Sequence, residues 1–397
     1  MLSKKVVNNL SNSSWIRAMF EEGEKLKKIH GESNVFDFTL GNPDPEPPKE
    51  VLDALKSLVS DSKPGMHSYM NNAGYQDVRQ KIADKINNET DLSLTSNHIM
   101  MTCGAAGGLN VVLKSILNAG EEVLILAPFF AEYNFYVENH GGKTVLIPTV
   151  EESFDPNLEV LKNKITEKTK AIIINSPNNP SGHIYSKETL TKLFDILREK
   201  QEQYNSTIFA LSDEPYAKLI YDNVELPNIL KLYKNSFVIN SFSKSLSLPG
   251  ERIGYIAANP QIQDINLVIS CLAFCNRTLG YVNAPALFQK LIGASLDASV
   301  DVNIYKERRD ILYSKLISLG FSCIKPEGAF YLFPKAPIED DVAFIKSAVK
   351  YNLLLVPGSG FGGPGYFRIS YCVSLDTIKN SLPAFEALAK EYNLVKQ

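Results

Sequence analysis

The sequence Phe237-Val-Ile-Asn-Ser-Phe-Ser-Lys-Ser-Leu-Ser-Leu-Pro-Gly-Glu-Arg-Ile-Gly254 is the part of the chain around which the fold and its candidate site are organised. Its first four residues predict a buried strand. Three serines then surround a lysine, and an arginine follows eight residues after that lysine: Ser241, Ser243, Ser245, Lys244 and Arg252. Serine hydroxyls and a planar guanidinium suit a phosphate dianion, and a lysine amine that loses its proton can attack a carbonyl. A serine-rich turn with one solvated lysine is the alternative that this stretch leaves open.

The composition is that of a globular protein rather than a nucleic-acid or membrane protein. The 397 residues are enough for one large and one smaller domain, and the net charge of -3 gives no reason to expect nucleic acid or a membrane as partner. The longest apolar runs are shorter than the roughly 18 residues of a membrane span. Five scattered cysteines and an N-terminus without a secretory core predict a cytoplasmic protein. The five histidines form no ligand pair, so no metal site is expected.

Strand and helix patterns alternate along most of the first 260 residues. Near-continuous Val, Ile and Leu runs predict strands at 99–102, 122–127, 143–148, 171–175, 208–212 and 237–240. Such strands, separated by helices, indicate a mostly parallel sheet covered by helices on both faces. In sheets of this kind, ligands bind beyond the carboxyl ends of the strands.

Polar side chains follow three of these strands. Asn179 lies in the turn Ser176-Pro-Asn-Asn-Pro-Ser-Gly, Asp213-Glu-Pro-Tyr216 ends the next strand, and Lys244 follows the third. Each residue by itself would more often be a cap or a turn residue. An acid, an amide, a phenol and a lysine at one sheet edge together predict a site.

Three further segments are ambiguous by themselves. Gly41 opens the stiff, proline-rich loop Gly-Asn-Pro-Asp-Pro-Glu-Pro-Pro, which either brings backbone close to a ligand or links two domains. The turn Cys103-Gly-Ala-Ala-Gly-Gly precedes a helix whose free N–H groups could hold an anion, although small residues also suit tight packing. Arg368 lies in an apolar strand, either extended towards solvent at an edge or directed at an anionic ligand.

Gly358-Ser-Gly-Phe-Gly-Gly matches the glycine pattern of dinucleotide-binding loops. Pro364-Gly-Tyr-Phe-Arg-Ile-Ser comes next, which predicts a strand instead of the required helix. We therefore expect no nicotinamide or flavin site there.

A lysine amine, a phosphate site and a carboxylate at a neighbouring strand end together describe a pyridoxal phosphate site. Over nearly its whole length the chain resembles the class I/II aminotransferases of the aspartate aminotransferase superfamily, fold type I. Four motifs carry the resemblance: Asn-Asn-Pro-Ser-Gly at 178–182, Asp213-Glu-Pro-Tyr216, Ser-Phe-Ser-Lys at 241–244 and Phe-Arg-Ile-Ser at 367–370.

The resemblance implies a role for each candidate residue. Lys244 would form the Schiff base with pyridoxal 5'-phosphate and move the substrate proton, and Asp213 would pair with the pyridinium nitrogen. Asn179 and Tyr216 would bind the 3' oxygen of the cofactor. The remaining cofactor contacts would come from Ser241, Ser243, Arg252, Gly104, Ala105, Ala106, the stacking Phe130, and Tyr69 acting on the neighbouring subunit. Arg368 would bind the substrate α-carboxylate, assisted by Asn179 and the Gly41 backbone.

The implied architecture is α/β: a large domain whose mostly parallel sheet is covered by helices, plus a smaller α+β domain formed by the N- and C-terminal segments. We expect residues 50–290 to form the large, cofactor-binding domain and residues 1–49 with 291–397 to form the small one. A homodimer with shared active sites is expected because Tyr69 acts in trans in this family.

The chain also departs from the family pattern. Many aspartate enzymes carry a histidine three residues after the stacking aromatic, where this chain has Tyr133, so any effect on Asp213 through that position must differ. The second arginine of dicarboxylate enzymes has no unambiguous counterpart. Arg277 is the candidate substrate-binding residue, and a helix-end or intersubunit cation is its alternative role.

Three functions of different kinds are compatible with these residues. The first is an aminotransferase acting between an L-amino acid, with aspartate or alanine favoured and aromatic amino acids possible, and a 2-oxo acid. A carbon–sulfur β-lyase using Lys244 and Asp213 is the alternative. A non-catalytic regulatory or binding module is disfavoured because Lys244 is intact.

Overall fold

The computed structural model describes residues 2–12, 15–61, 63–151 and 153–394. Its strands are β1 (Phe36–Asp37), β2 (Ile99–Thr102), β3 (Glu122–Leu126), β4 (Lys143–Ile147), β5 (Thr169–Asn175), β6 (Phe209–Asp213), β7 (Ser236–Ser241), β8 (Gly254–Ala258), β9 (Tyr331–Leu332), β10 (Leu353–Leu354), β11 (Val356–Pro357) and β12 (Phe367–Ser370). Its α-helices are α1 (Lys4–Asn12), α2 (Trp15–His30), α3 (Lys49–Ser60), α4 (Gln76–Glu89), α5 (Gly104–Ile116), α6 (Glu132–Asn139), α7 (Leu158–Lys164), α8 (Lys187–Tyr204), α9 (Ile229–Leu232), α10 (Phe242–Ser245), α11 (Ile265–Thr278), α12 (Ala286–Ser295), α13 (Val302–Ser318), α14 (Asp341–Ala348) and α15 (Leu375–Glu391).

The main sheet has seven strands in the order β2-β8-β7-β6-β5-β3-β4. The pairs from β7 to β4 are all parallel, which confirms the mostly parallel sheet predicted from the sequence. Strand β8 is antiparallel to both of its neighbours, β7 and β2. Strand β8 was not predicted, because its first residue, Gly254, closes the segment assigned to the phosphate site.

The strands of this sheet are buried on both faces, as their composition indicates. In β5, every residue except Lys170 is buried. Ile173 packs into the core beneath α5, whereas its neighbours Ile172 and Ile174 pack into the core beneath α8. Alternate residues of one strand thus fill two cores, since successive side chains point to opposite faces.

A smaller α+β domain is built from the two ends of the chain. Strand β1 pairs in parallel with β10, so an N-terminal segment is joined to a C-terminal one by backbone hydrogen bonds. Strands β11, β12 and β9 form an antiparallel sheet, and the helices α13 and α15 pack together over it. This core also takes in Tyr216 and Leu219, which follow β6 of the main sheet. The carboxyl ends of the main strands therefore lie against the smaller domain.

Two elements beside the site are short. Helix α6 begins at Glu132, two residues after Phe130. Strand β9 has two residues, because Gly328 before it forms an isolated bridge to Ile220 and Ala329 has a left-handed φ of 57°.

In the described part of the chain, no helix is long and apolar enough to span a membrane. The same residues contain no group of three or more His, Cys, Asp or Glu side chains arranged to hold a metal ion.

Candidate active site

Three strands of the main sheet end side by side at one cavity. Asn175 ends β5, Asp213 ends β6 and Ser241 ends β7, and Asn175 is directly paired with Asp213. The cavity has a volume of about 320 Å³. Most of the candidate residues line it: Gly41, Ala105, Ala106, Phe130, Asn179, Asp213, Tyr216, Ser241, Ser243, Lys244, Arg252 and Arg368.

Lys244 lies on the short helix α10, directly after β7, and its amine points into the cavity. The Lys244 Nζ donates a hydrogen bond to the Gly41 carbonyl at 2.7 Å. Burial lowers the pKa of this amine to about 8, and the positive charges of Arg252 and Arg368 act in the same direction. A lysine whose pKa is lowered in this way is available as a nucleophile or base near neutral pH.

Asp213 is a buried carboxylate, and only one of its two oxygens accepts a hydrogen bond from the described residues. The Tyr133 hydroxyl donates to Oδ2 at 2.5 Å, whereas Oδ1 has no hydrogen-bond partner among the described residues. Burial raises the pKa of Asp213 to about 6, against the lowering effect of the Tyr133 hydrogen bond. A buried acceptor without a donor is costly, so Oδ1 is suited to a donor that a ligand brings.

The other end of the cavity collects anion-binding groups. The Ser241 hydroxyl donates to the Ser243 hydroxyl at 2.6 Å and accepts from the Ser243 N–H at 3.0 Å. Helix α5 begins at Gly104, where a Cβ would lie 2.8 Å from Arg252 Nη2. Arg252 has a left-handed φ of 52°, which is uncommon for a residue other than glycine. Hydroxyls, a guanidinium and a helix N-terminus at one place suit a phosphate group.

Arg368 lies opposite, on β12, and is only 3% exposed. Its Nη1 donates to Asn179 Oδ1 at 3.1 Å and its Nη2 donates to the Thr39 carbonyl at 2.5 Å. The guanidinium carbon contacts two aromatic rings, 4.7 Å from the centre of Tyr331 and 4.5 Å from that of Phe361. A buried, oriented guanidinium without a carboxylate partner in the described residues can bind a carboxylate bidentately.

Three of the candidate residues do not line this cavity: Gly104, which begins α5 beside it, and two exposed side chains. Tyr69 is 91% exposed. Arg277 is exposed in the last turn of α11, where its guanidinium lies 5.5 Å from the Phe274 ring centre. Any contact of these two side chains with a cavity of this kind would therefore have to be made in a second subunit.

Several lining residues were missed by the sequence analysis: Thr39, Leu40, Leu109, Tyr136, Asn175, Pro215, Pro249 and Tyr331. Asn175 could have been found, because it is the last residue of a predicted strand. Tyr133 was noted only as a departure from a histidine, and its hydroxyl binds the carboxylate from that position. Tyr331 carries no sequence signal, since an aromatic next to Phe330 is typical of any core.

Gly41→Ala is expected to destabilise the protein by about 1–3 kcal/mol, because a Cβ at this position overlaps the Tyr331 hydroxyl. Thermal or denaturant unfolding measures this change. Gly250→Ala is the matched control, since a Cβ there meets no atom within 4 Å. Equal unfolding midpoints for the two variants would contradict the close packing of the Gly41 loop.

Comparison with known proteins gives the family of the chain. Residues 33–385 match the family model described as "Aminotransferase class I and II". A curated relative, the "Probable aspartate aminotransferase" of Methanocaldococcus jannaschii, is 34% identical over 360 residues, covering 88% of this chain and 92% of that protein. The "Aromatic-amino-acid aminotransferase 2" of Thermococcus litoralis is 30% identical, covering 97% of both chains.

A solved structure gives the same result for the fold. The chain is similar to an amino transferase from Eubacterium rectale with a TM-score of 0.96 and 41% sequence identity. The match covers 99% of this chain and 100% of that one. The arrangement of both domains is thus shared with an aminotransferase.

Proposed function

The chain belongs to the class I and II aminotransferase family, and from this premise we propose that it transfers an amino group between an L-amino acid and a 2-oxo acid with pyridoxal 5'-phosphate bound at Lys244. The family is generally dependent on this cofactor. The observation that carries the proposal is that Asp213 Oδ1 has no hydrogen-bond partner among the described residues, while Asp213 lines the same cavity as Lys244.

The residues around the cavity fit this cofactor. Asp213 Oδ1 would accept a hydrogen bond from a protonated ring nitrogen. This bond would supply the donor that Oδ1 lacks among the described residues. Tyr216 and Asn179 would bind the ring oxygen, and Phe130 would stack on the ring. The phosphate would be held by the serine hydroxyls, Arg252 and the first N–H groups of α5: Ser241, Ser243, Gly104, Ala105 and Ala106. Tyr69 of a second subunit would reach the same phosphate.

When bound, the cofactor supplies an electron sink for bond breaking at the substrate α-carbon. Lys244 would bind its aldehyde carbon and later take and return the α-proton. The lowered pKa of the Lys244 amine, about 8, suits a base that works near neutral pH. The Gly41 carbonyl, 2.7 Å from Nζ, orients the amine within the cavity.

Arg368 would bind the substrate α-carboxylate. Two of its nitrogens are held by Asn179 and Thr39, and Nε has no partner among the described residues. Fixing this carboxylate orients the α-carbon relative to Lys244, and such positioning accounts for a large share of enzymatic rate enhancement.

Aspartate or alanine is the favoured donor, and an aromatic amino acid is possible. Relatives at about one third identity carry both kinds of name, aspartate and aromatic. Arg277 of a second subunit would bind the side-chain carboxylate of a dicarboxylate substrate. This role requires a homodimer with shared active sites.

We further propose that residues 50–290 bind the cofactor and that residues 1–49 and 291–397 close over the substrate. The protein would be cytoplasmic.

The test is an absorbance measurement on the purified protein supplied with pyridoxal phosphate. We expect a visible band that L-aspartate bleaches and 2-oxoglutarate restores, with glutamate formed. In the Arg277→Ala variant, the aspartate concentration needed to bleach the band should be about tenfold or more above that for the wild type. The alanine concentration needed should be the same in both proteins.

Other outcomes of the same measurement have a clear meaning. A thiol, pyruvate and ammonia released from a cysteine conjugate, without formation of a new amino acid, would establish the β-lyase instead. A protein that binds no cofactor would contradict the whole proposal.

A further inference from the structure

The Tyr331 side chain contacts three parts of the site that the proposed function uses separately. It lies on β9, where it is paired with Ser370 of β12, and it is only 2% exposed. Its neighbours are the Tyr216 hydroxyl, the Arg368 guanidinium and the Gly41 backbone.

The first contact joins two hydroxyls. The oxygens of Tyr331 and Tyr216 are 2.9 Å apart, and either group can donate. Both remain protonated at neutral pH because burial raises their pKa values, that of Tyr331 to about 12. When Tyr216 donates to a ligand, its oxygen is free to accept from Tyr331. A hydroxyl that accepts one hydrogen bond becomes a better donor in the next.

The second contact is made by the ring. The centres of the Tyr331 and Phe361 rings lie 4.7 and 4.5 Å from the Arg368 guanidinium carbon. Contacts with two rings restrict how the guanidinium can turn, and its orientation determines the direction from which a carboxylate can be bound bidentately. The Tyr331 ring thus contributes to the orientation of the carboxylate site.

The third contact is with the Gly41 loop, which accepts a hydrogen bond from the Lys244 amine. The Tyr331 hydroxyl occupies the space that a Cβ on Gly41 would take. The carbonyl of Gly41 accepts the hydrogen bond from the Lys244 amine. The Tyr331 hydroxyl therefore packs against the residue whose carbonyl accepts from Lys244.

We propose that Tyr331 is a positioning residue that couples the carboxylate-binding Arg368 to the Tyr216 hydroxyl. Its ring holds the guanidinium, and its hydroxyl strengthens the hydrogen bond that Tyr216 donates. This inference rests on the proposed function, in which Arg368 binds substrate and Tyr216 binds the cofactor ring oxygen.

Two variants of the cofactor-loaded protein separate the ring from the hydroxyl. Tyr331→Phe keeps the ring, so the KM for the amino acid should change less than about twofold. The pH midpoint of the visible absorbance band should rise by about 0.5–1 pH unit, because a weaker Tyr216 hydrogen bond leaves the lysine–cofactor linkage more basic. Tyr331→Leu should show the same pH shift and, in addition, a KM about tenfold higher.

Tyr221→Phe is the matched control, because it also removes a buried, hydrogen-bonded tyrosine hydroxyl. The Tyr221 hydroxyl donates to the Ala329 carbonyl, and Tyr221 lies outside the cavity lining. It should leave both the pH midpoint and KM unchanged, even if the unfolding temperature falls. A wild-type protein without a band overturns the proposed function and this inference together. A normal wild-type band with the same pH midpoint in Tyr331→Phe overturns the coupling alone.

Discussion

Lys244→Ala is expected to lower the rate of amino transfer by about 10⁴-fold, the upper end of what one positioned acid or base contributes. The variant loses both the nucleophile that would bind the cofactor and the base that would take the α-proton. Alanine also leaves the Gly41 carbonyl without the hydrogen bond that Lys244 Nζ donates to it. Steady-state rates with aspartate and 2-oxoglutarate measure the loss, and the absorbance band of the loaded protein should change with it.

Lys218→Met is the appropriate control for this variant. Lys218 is also a partly buried lysine, and its amine donates to the carbonyls of Leu296 and Ala298 outside the lining of the cavity. Its replacement should lower the unfolding temperature while the rate remains within about threefold of the wild type. A Lys244→Ala protein that retains the wild-type absorbance band would show that another amine binds the cofactor.

The sequence was most informative about the sheet and the residues at its strand ends. Buried parallel strands consist of long apolar runs, and the polar residues that interrupt them, such as Asp213 and Lys244, must lie at the strand ends. The register of β5, β6 and β7 then brings these ends together. Local composition was therefore sufficient to place this half of the cavity.

The rest of the site depends on contacts between distant segments. Tyr331 is separated by 115 residues from the Tyr216 hydroxyl that it contacts, and nothing in the local pattern distinguishes it from a core aromatic. Strand β8 was missed because its first residue, Gly254, closes the segment that had been assigned to the phosphate site. Tyr69 and Arg277 lie outside the cavity of their own chain, so their proposed roles depend on a second subunit.

Asp213→Asn is expected to reduce the rate of amino transfer by about 10²- to 10⁴-fold. Breaking a buried ion pair by removing one partner costs about 3–5 kcal/mol, and each 1.4 kcal/mol is a factor of ten in rate. Asparagine has nearly the shape of aspartate and can still accept from the Tyr133 hydroxyl, so the effect is due to the charge. Rates measured beside Asp213→Glu, which keeps the charge but displaces it, separate charge from geometry.

The same substitution should have the opposite effect on the stability of the protein stripped of cofactor. Burial raises the pKa of Asp213 to about 6 from its ordinary value of 3.8. A carboxyl whose pKa is raised by folding stabilises the folded state fully below the unfolded pKa, and this stabilisation is lost as the pH rises through about 6. At pH 7.5 the wild type therefore holds a buried, incompletely bound charge that Asp213→Asn lacks.

We expect the cofactor-free variant to be more stable than the wild type by about 1–3 kcal/mol at pH 7.5 and equally stable at pH 4. Burial raises the pKa of Glu214 to about 7 and the neighbouring Asp213 charge raises it further, so the difference between the two proteins also includes the loss of this repulsion, which has the same sign. Denaturant unfolding at the two pH values measures it. Bound cofactor should reverse the order, because a cationic ring nitrogen pairs with the wild-type carboxylate only. If the cofactor-free variant is no more stable than the wild type at pH 7.5, then the ionised Asp213 does not destabilise the folded protein. The cofactor would in that case have no such cost to offset.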